Sequence, residues 1–334
     1  MKTFACYCFA LLLISIGCTP MNRTIGMREV YQYPVSKKAS IIQPVDLTKI
    51  LSVSSQTFTI DPDMDTILYG KEGTIIFINP GCLATKDSSI ISGKIKIELK
   101  ELYTKEALLK ERAFTISNGS MLESDGSLYI QAFSETSVPL FINCENAVTI
   151  RLPREVKENM IYFEGHRSED GNMNWDLTEN IAPIFEETYS DFIADDGEEY
   201  QISETEKILN TYFFSIKNFG WINCDRFYDD VREKTDFTAQ FILPVSEKKL
   251  LEVYNYIVFD SLMSVIPLYK EDSDVWVCPN LPLGAPVTCI SIQKSDSHLY
   301  YGVKKTIIGD RESSVIELKE IKEQELQKQL DLSL

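Results

Sequence analysis

With 334 residues, 44% of them hydrophobic and 11% aromatic, the chain carries enough apolar material for about two packed domains and is not a disordered polymer. Its formal net charge of −17, from 50 acidic against 33 basic side chains, repels phosphate backbones and anionic headgroups, which excludes nucleic acid as a partner on electrostatic grounds. The acidity reads as a solubility device rather than as a ligand site.

In chain order, Lys2, an apolar run over residues 9–16 and Ser15-Ile16-Gly17 before Cys18 have the layout of an export signal, and the run is well short of the ~20 residues that span a bilayer. These small residues also suit ordinary signal peptidase, but a cysteine directly after the cut points to a lipoprotein. Residues 1–17 are therefore expected to be a signal peptide and Cys18 the lipidation site, holding the protein to a membrane by its acyl chains. Residues 18–50 are weakly patterned and predict a tether.

Period-two alternation then takes over. In Lys94-Ile95-Lys96-Ile97-Glu98-Leu99-Lys100 every apolar residue falls on one face, the pattern of a half-buried antiparallel strand. Similar runs at residues 74–78, 127–133, 147–152 and 160–163 are separated by Asn79-Pro80-Gly81, Asn118-Gly119, Asp125-Gly126 and Asp170-Gly171-Asn172, all turn chemistry. A short helix is predicted over residues 104–112, with Thr104 as N-cap. Residues 51–183 thus form a first β-sandwich-like domain, and the acidic stretch at 184–201 marks a linker.

The second domain, 202–334, opens with a capping box, Ser203 with Glu206, and a helix whose Ile208, Leu209, Tyr212, Phe213 and Ile216 share a face. Strands are predicted at 237–243, 253–259, 264–269, 287–292, 299–308 and 314–318. A charged helix over 317–332, with a narrow apolar stripe suited to a surface, ends the chain. The fold class is mainly β: two β-sandwich-like domains with a few short helices and a C-terminal helix.

Chemistry is sparse. Past Cys18 the cysteines are Cys82, Cys144, Cys224, Cys278 and Cys289, without metal-ligand spacing. Cys278 and Cys289, on either side of a Pro-Asn-Leu-Pro turn, are the first candidate disulfide, the other reading being that all five are small buried hydrophobes. Only His166 and His298 are available as bases, neither in a triad context, and no nucleophile elbow, phosphate loop or zinc-protease motif is present. No cofactor is implied. Asp61, Asp63, Asp65 and Glu72 reproduce the carboxylate spacing of a calcium loop, but Thr66 stands at the place that needs glycine and Pro62 intrudes, so an exposed strand connection competes with a weak calcium site. The group Tyr212, Phe213, Phe214, Phe219, Trp221, Phe227 and Tyr228 is either core or a stacking platform. Within it Trp221, Asp225 and Arg226 are the candidate ligand-binding residues, with a structural corner as the alternative.

The stretch from Tyr69 to Leu83, Tyr-Gly-Lys-Glu-Gly-Thr-Ile-Ile-Phe-Ile-Asn-Pro-Gly-Cys-Leu, resembles the opening of the ZU-type sandwich of ankyrins and netrin receptors, departing from it at Asn79 and Cys82. Residues 55–180, with "KIKIELKELY", "TISNGSMLE" and, further on, "FGWINCDRFY", resemble a family of uncharacterised Bacteroidota envelope lipoproteins. The first resemblance implies protein binding, while the second transfers no catalytic residue. Surface lipoproteins of that phylum carry an acidic run after the lipidated cysteine. Here Thr19-Pro20-Met21-Asn22-Arg23 follows, which implies an outer-membrane protein facing the periplasm, with the cell surface as the alternative. Taken together, the sequence predicts a lipid-anchored, non-enzymatic envelope protein binding another envelope protein or a glycan. The rival reading is an envelope hydrolase acting on peptidoglycan or polysaccharide through paired carboxylates.

Overall fold

The computed structural model describes residues 47–89, 91, 93–168, 171–178, 211–244, 250–271, 274–295, 298–309 and 314–333, all inside one compact unit. The expected signal peptide, Cys18, the acidic linker and the capping box at Ser203 lie outside these residues.

The architecture is mainly β. After helix α1 (Leu47–Leu51) come β1 (Gln56–Ile60), β2 (Thr66–Tyr69), β3 (Ile75–Ile78), β4 (Leu83–Ala84) and β5 (Ile95–Leu102). Helix α2 (Lys105–Lys110) follows, its Thr104 side chain accepting from the Ala107 amide as expected of an N-cap. Next are β6 (Ile116–Ser117), β7 (Ser120–Ser134), β8 (Phe141–Ile142), β9 (Val148–Glu155), β10 (Ile161–Arg167), β11 (Met173–Leu177), β12 (Thr211–Ile216) and β13 (Gly220–Phe227). They build a first sandwich. Its large sheet runs β1-β5-β7-β13-β10-β11 with β6 on β7, and its small sheet runs β12-β9-β3-β2. Ile76, Ile97, Leu99, Ile130, Ile150, Tyr212 and Phe214 fill the space between them. Long β7 is bent by a bulge opposite Cys224 and Asp225, where Gly126 adopts φ +143°. A β-carbon there would lie 2.4 Å from the Tyr103 ring, so only glycine fits.

The second sandwich consists of β14 (Lys234–Ile242), β15 (Leu250–Phe259), β16 (Val265–Pro267), β17 (Tyr269–Lys270), β18 (Val275–Pro282), β19 (Pro286–Ser295), β20 (Leu299–Ile307), β21 (Ser314–Glu317) and β22 (Lys319–Glu320), ending in α3 (Glu323–Ser333). Sheet β17-β18-β14-β21 packs on sheet β16-β15-β19-β20-β22 around Phe237, Ile257, Phe259, Ile266, Val287 and Cys289. The two sandwiches share a third core, a seam. There Leu102, Leu122, Phe163 and Trp175 of the large sheet meet Tyr256, Val258, Ile290, Ile292 and Tyr301, while Leu47 and Leu51 of α1 and Leu326 and Leu330 of α3 close it. Backbone bonds stitch it as well, Thr115 N–H to Val265 O at 3.0 Å and Ser124 N–H to Met263 O at 3.0 Å.

Several expectations need correction. Tyr212, Phe213 and Ile216 lie on strand β12, not on a helix: Tyr212, Phe214 and Ile216 point inward by strict alternation, and the coincidence of 212 and 216 at helical spacing produced the wrong period. The acidic stretch does not separate the sandwiches either. β12 pairs with β9, and β13 inserts between β7 and β10, so both belong to the first sandwich and the second begins at β14. The expected tether is already folded and buried at Leu47. The terminal helix begins at Glu323 rather than 317, and Leu326 and Leu330 are fully buried in the seam instead of resting on a surface. Cys278 and Cys289 are free and buried, on the inner faces of the second sandwich, while the disulfide joins Cys82 to Cys144.

Candidate binding face

The structure separates the candidate residues of the Trp221 segment and gives each a partner within the fold. One row of side chains crosses the large sheet: Lys100, Tyr129, Trp221, Gly165 and Trp175 are successive cross-strand neighbours. Trp221 is half-buried, 5.1 Å from the Tyr129 ring, with the Arg167 guanidinium 4.8 Å over its own ring. It packs at the edge of the seam. Gly165 leaves the space into which Trp175 leans, since a β-carbon there would stand 2.4 Å from the indole. Arg226 forms an ion pair with Glu123 at 2.8 Å and donates to the Glu158 carbonyl, which makes it a brace between strands.

Asp225 is completely buried. Asn223 donates to its Oδ2, Asn223 in turn accepts from Ser124 and Ser127, and Asp225 Oδ1 has no partner. Burial is the main cause that pushes the Asp225 carboxyl well above the usual carboxylate range, with the charges of Asp125 and Glu123 adding to it. The folded state therefore keeps a proton that the unfolded chain releases above its ordinary value of 3.8, and stability falls as pH rises from there toward the folded pKa. Asp225→Asn keeps the shape and removes the charge. It should raise stability at neutral pH by removing this proton linkage, and the gain in urea midpoint should be larger at pH 8 than at pH 5. A gain independent of pH would refute this account.

The calcium spacing is broken by the fold. Strand β2 runs extended between Asp65 and Glu72, holding the two ends of the set about 13 Å or more apart at ~3.3 Å per residue, and Asp61 is paired with Lys94 at 2.7 Å. The small pocket beside this turn is lined by Ile60, Met64, Ile78, Leu83 and Ile95, with Asp61 as its carboxylate. His166 makes an exposed pair with Asp176 at 3.3 Å. Burial raises the thiols of Cys224, Cys278 and Cys289, which keeps them protonated and inert.

A different surface carries recognition chemistry. On the outer face of the small sheet, one row reads Tyr69, Ile75, Arg151, Phe213 and the next Ile67, Phe77, Thr149, Ser215, each set directly opposed across β2, β3, β9 and β12. Phe77 and Phe213 meet edge to face at 6.0 Å. Tyr69 is 66% exposed and Ile67 51%. Arg151 uses Nε on Thr211 at 2.8 Å, and these two rows hold no carboxylate although the chain carries −17. Aromatic, aliphatic and arginine side chains with few acids are the composition of an interaction surface. Phe213 stands in the aromatic group and Tyr69 and Phe77 in the ZU-like stretch, but Ile67, Arg151 and the grouping of all five on one face were not singled out from the sequence. The available signal was the run Thr74-Ile75-Ile76-Phe77-Ile78, apolar on both faces in an antiparallel hairpin of which only one face meets the core. No protein family matches the chain, and no curated protein or solved structure gives a match to it.

Proposed function

We propose that the protein is a lipid-anchored, non-enzymatic component of the outer membrane, facing the periplasm, that engages another envelope protein or a glycan through the outer face of its small sheet. The observation that carries this reading is the group of exposed Tyr69 and Ile67 with half-buried Phe77, Phe213 and Arg151, two rows without a carboxylate on a strongly acidic chain. Its rings offer faces for stacking and Arg151 offers planar donors, chemistry that suits either class of ligand. The carboxylates that approach one another in the interior are engaged within the fold: Asp125 accepts from Tyr212 at 2.6 Å and from Lys157 at 2.7 Å, and Asp225 is sealed from solvent. A photoreactive side chain in place of Phe213 should yield adducts in intact cells, whereas one in place of Val231, fully exposed between β13 and β14, should not. Phe77→Glu should weaken retention of the captured protein or polysaccharide by about tenfold or more, the scale of a hot-spot loss, with an unchanged melting temperature. Equal labelling at both positions, or retention unaffected by Phe77→Glu, would dismiss the face.

A further inference from the structure

The small sheet ends in β2, and the hydrogen-bond parity of that strand decides which of its amides are open. Gly70 N–H donates to Thr74 O at 2.7 Å, which marks even-numbered residues of β2 as those bonded to β3. The next pairing agrees with this parity, because Asn79 N–H donates to Ala147 O at 2.9 Å and so turns the odd-numbered residues of β3 toward β9. The N–H and C=O groups of Ile67 and Tyr69 therefore point away from the sheet, and among the described residues no hydrogen bond reaches them. Natural edge strands are blunted by lysine, proline or a bulge. The Thr66-Ile67-Leu68-Tyr69 strand has none of these, and its outward side chains are apolar and more than half exposed.

We propose that two copies of the chain join through β2, antiparallel about a twofold axis at Leu68, so that two four-stranded sheets become one of eight strands. This register sets Ile67 opposite the partner's Tyr69 and the reverse, matching open amide to open amide for four new hydrogen bonds. It also brings Asp65 opposite the partner's Lys71 at both ends. Registers shifted by one residue on each strand forfeit part of this: centring on Ile67 puts Asp65 against the partner's Tyr69, and centring on Tyr69 puts it against the partner's Gly73. A self-complementary edge is what a closed twofold dimer requires, and opposite charges facing across strands stabilise it. The charge pattern matters because the chain's −17 opposes self-association elsewhere on its surface. The two outer faces then form a single band twice as wide. The pairing is independent of what that face binds.

The test has two arms. The full chain, purified in detergent, should sediment as a dimer, and Ile67→Pro should halve its mass while leaving its melting temperature intact, because proline there removes only an outward amide. A monomeric wild type, or a dimer that survives Ile67→Pro, overturns the proposal. In cells making Ile67→Cys and Tyr69→Cys copies together, a disulfide-linked dimer should form, since directly opposed residues lie ~5.5 Å apart at Cα. Either variant alone should not link, because its cysteines stand diagonally. Equal linking by the single variants, or none by the mixed pair, overturns it as well.

Discussion

Trp175→Ala should unfold the protein under conditions in which Trp221→Ala leaves it folded. The indole of Trp175 is fully buried, donates from Nε1 to the Phe114 carbonyl at 2.6 Å, and sits where the large sheet meets α2 and the second sandwich. Its removal opens a cavity in the seam and takes one of two donors from that carbonyl, which keeps the Ile116 N–H at 3.0 Å, a cost of about 3–5 kcal/mol against a total of ~5–15 kcal/mol for a typical domain. Gly165 cannot collapse into the space, having no side chain to supply. Trp221 keeps one edge in solvent and should cost only ~1–2 kcal/mol, in the common range for single substitutions. Urea unfolding of the two variants side by side checks this. Comparable midpoints would show that the seam is not the core on which the fold depends.

Reduction of the Cys82–Cys144 disulfide, or its replacement by a pair of serines, should lower stability by ~4 kcal/mol on the chain-entropy scale, because the bond closes a loop of 62 residues. The bridge pins the two-stranded ribbon of β4 and β8, where Asn143 N–H also donates to the Cys82 carbonyl at 2.9 Å. Cys224, Cys278 and Cys289 are free thiols, so among the described residues this bond is the one dithiothreitol can reduce. A melting temperature insensitive to reductant would contradict the assignment.

What the sequence made legible was local. The alternation of residues 94–100 specified β5 because its two faces differ sharply in polarity, and Thr104 announced α2 because a cap acts within one turn. What it hid depended on partners far along the chain. Nothing near residues 220–227 indicates that this strand belongs between β7 and β10, so an acidic run in front of it was taken for a domain boundary. The pairing of Cys82 with Cys144 likewise follows from the β4–β8 ribbon and not from spacing. The outer face of the small sheet was overlooked for a related reason: Ile67, Phe77 and Phe213 come from three separate strands and meet only when the sheet forms.

Helix α1 gives the chain a mechanical property. The Leu47 amide is held by the Glu252 carboxylate at 3.0 Å, the Val53 amide by Glu111 at 2.7 Å, and the Ile50 carbonyl by the Gln327 side chain. Glu111 belongs to the first sandwich, Glu252 to the second and Gln327 to α3, so the entry point is clamped by all three at once. Tension applied to the polypeptide ahead of Leu47 is thus delivered to the joint itself and divided between both halves, and the chain cannot be drawn out without breaking the contacts that hold the halves together. A pull from that end is therefore resisted by both sandwiches together.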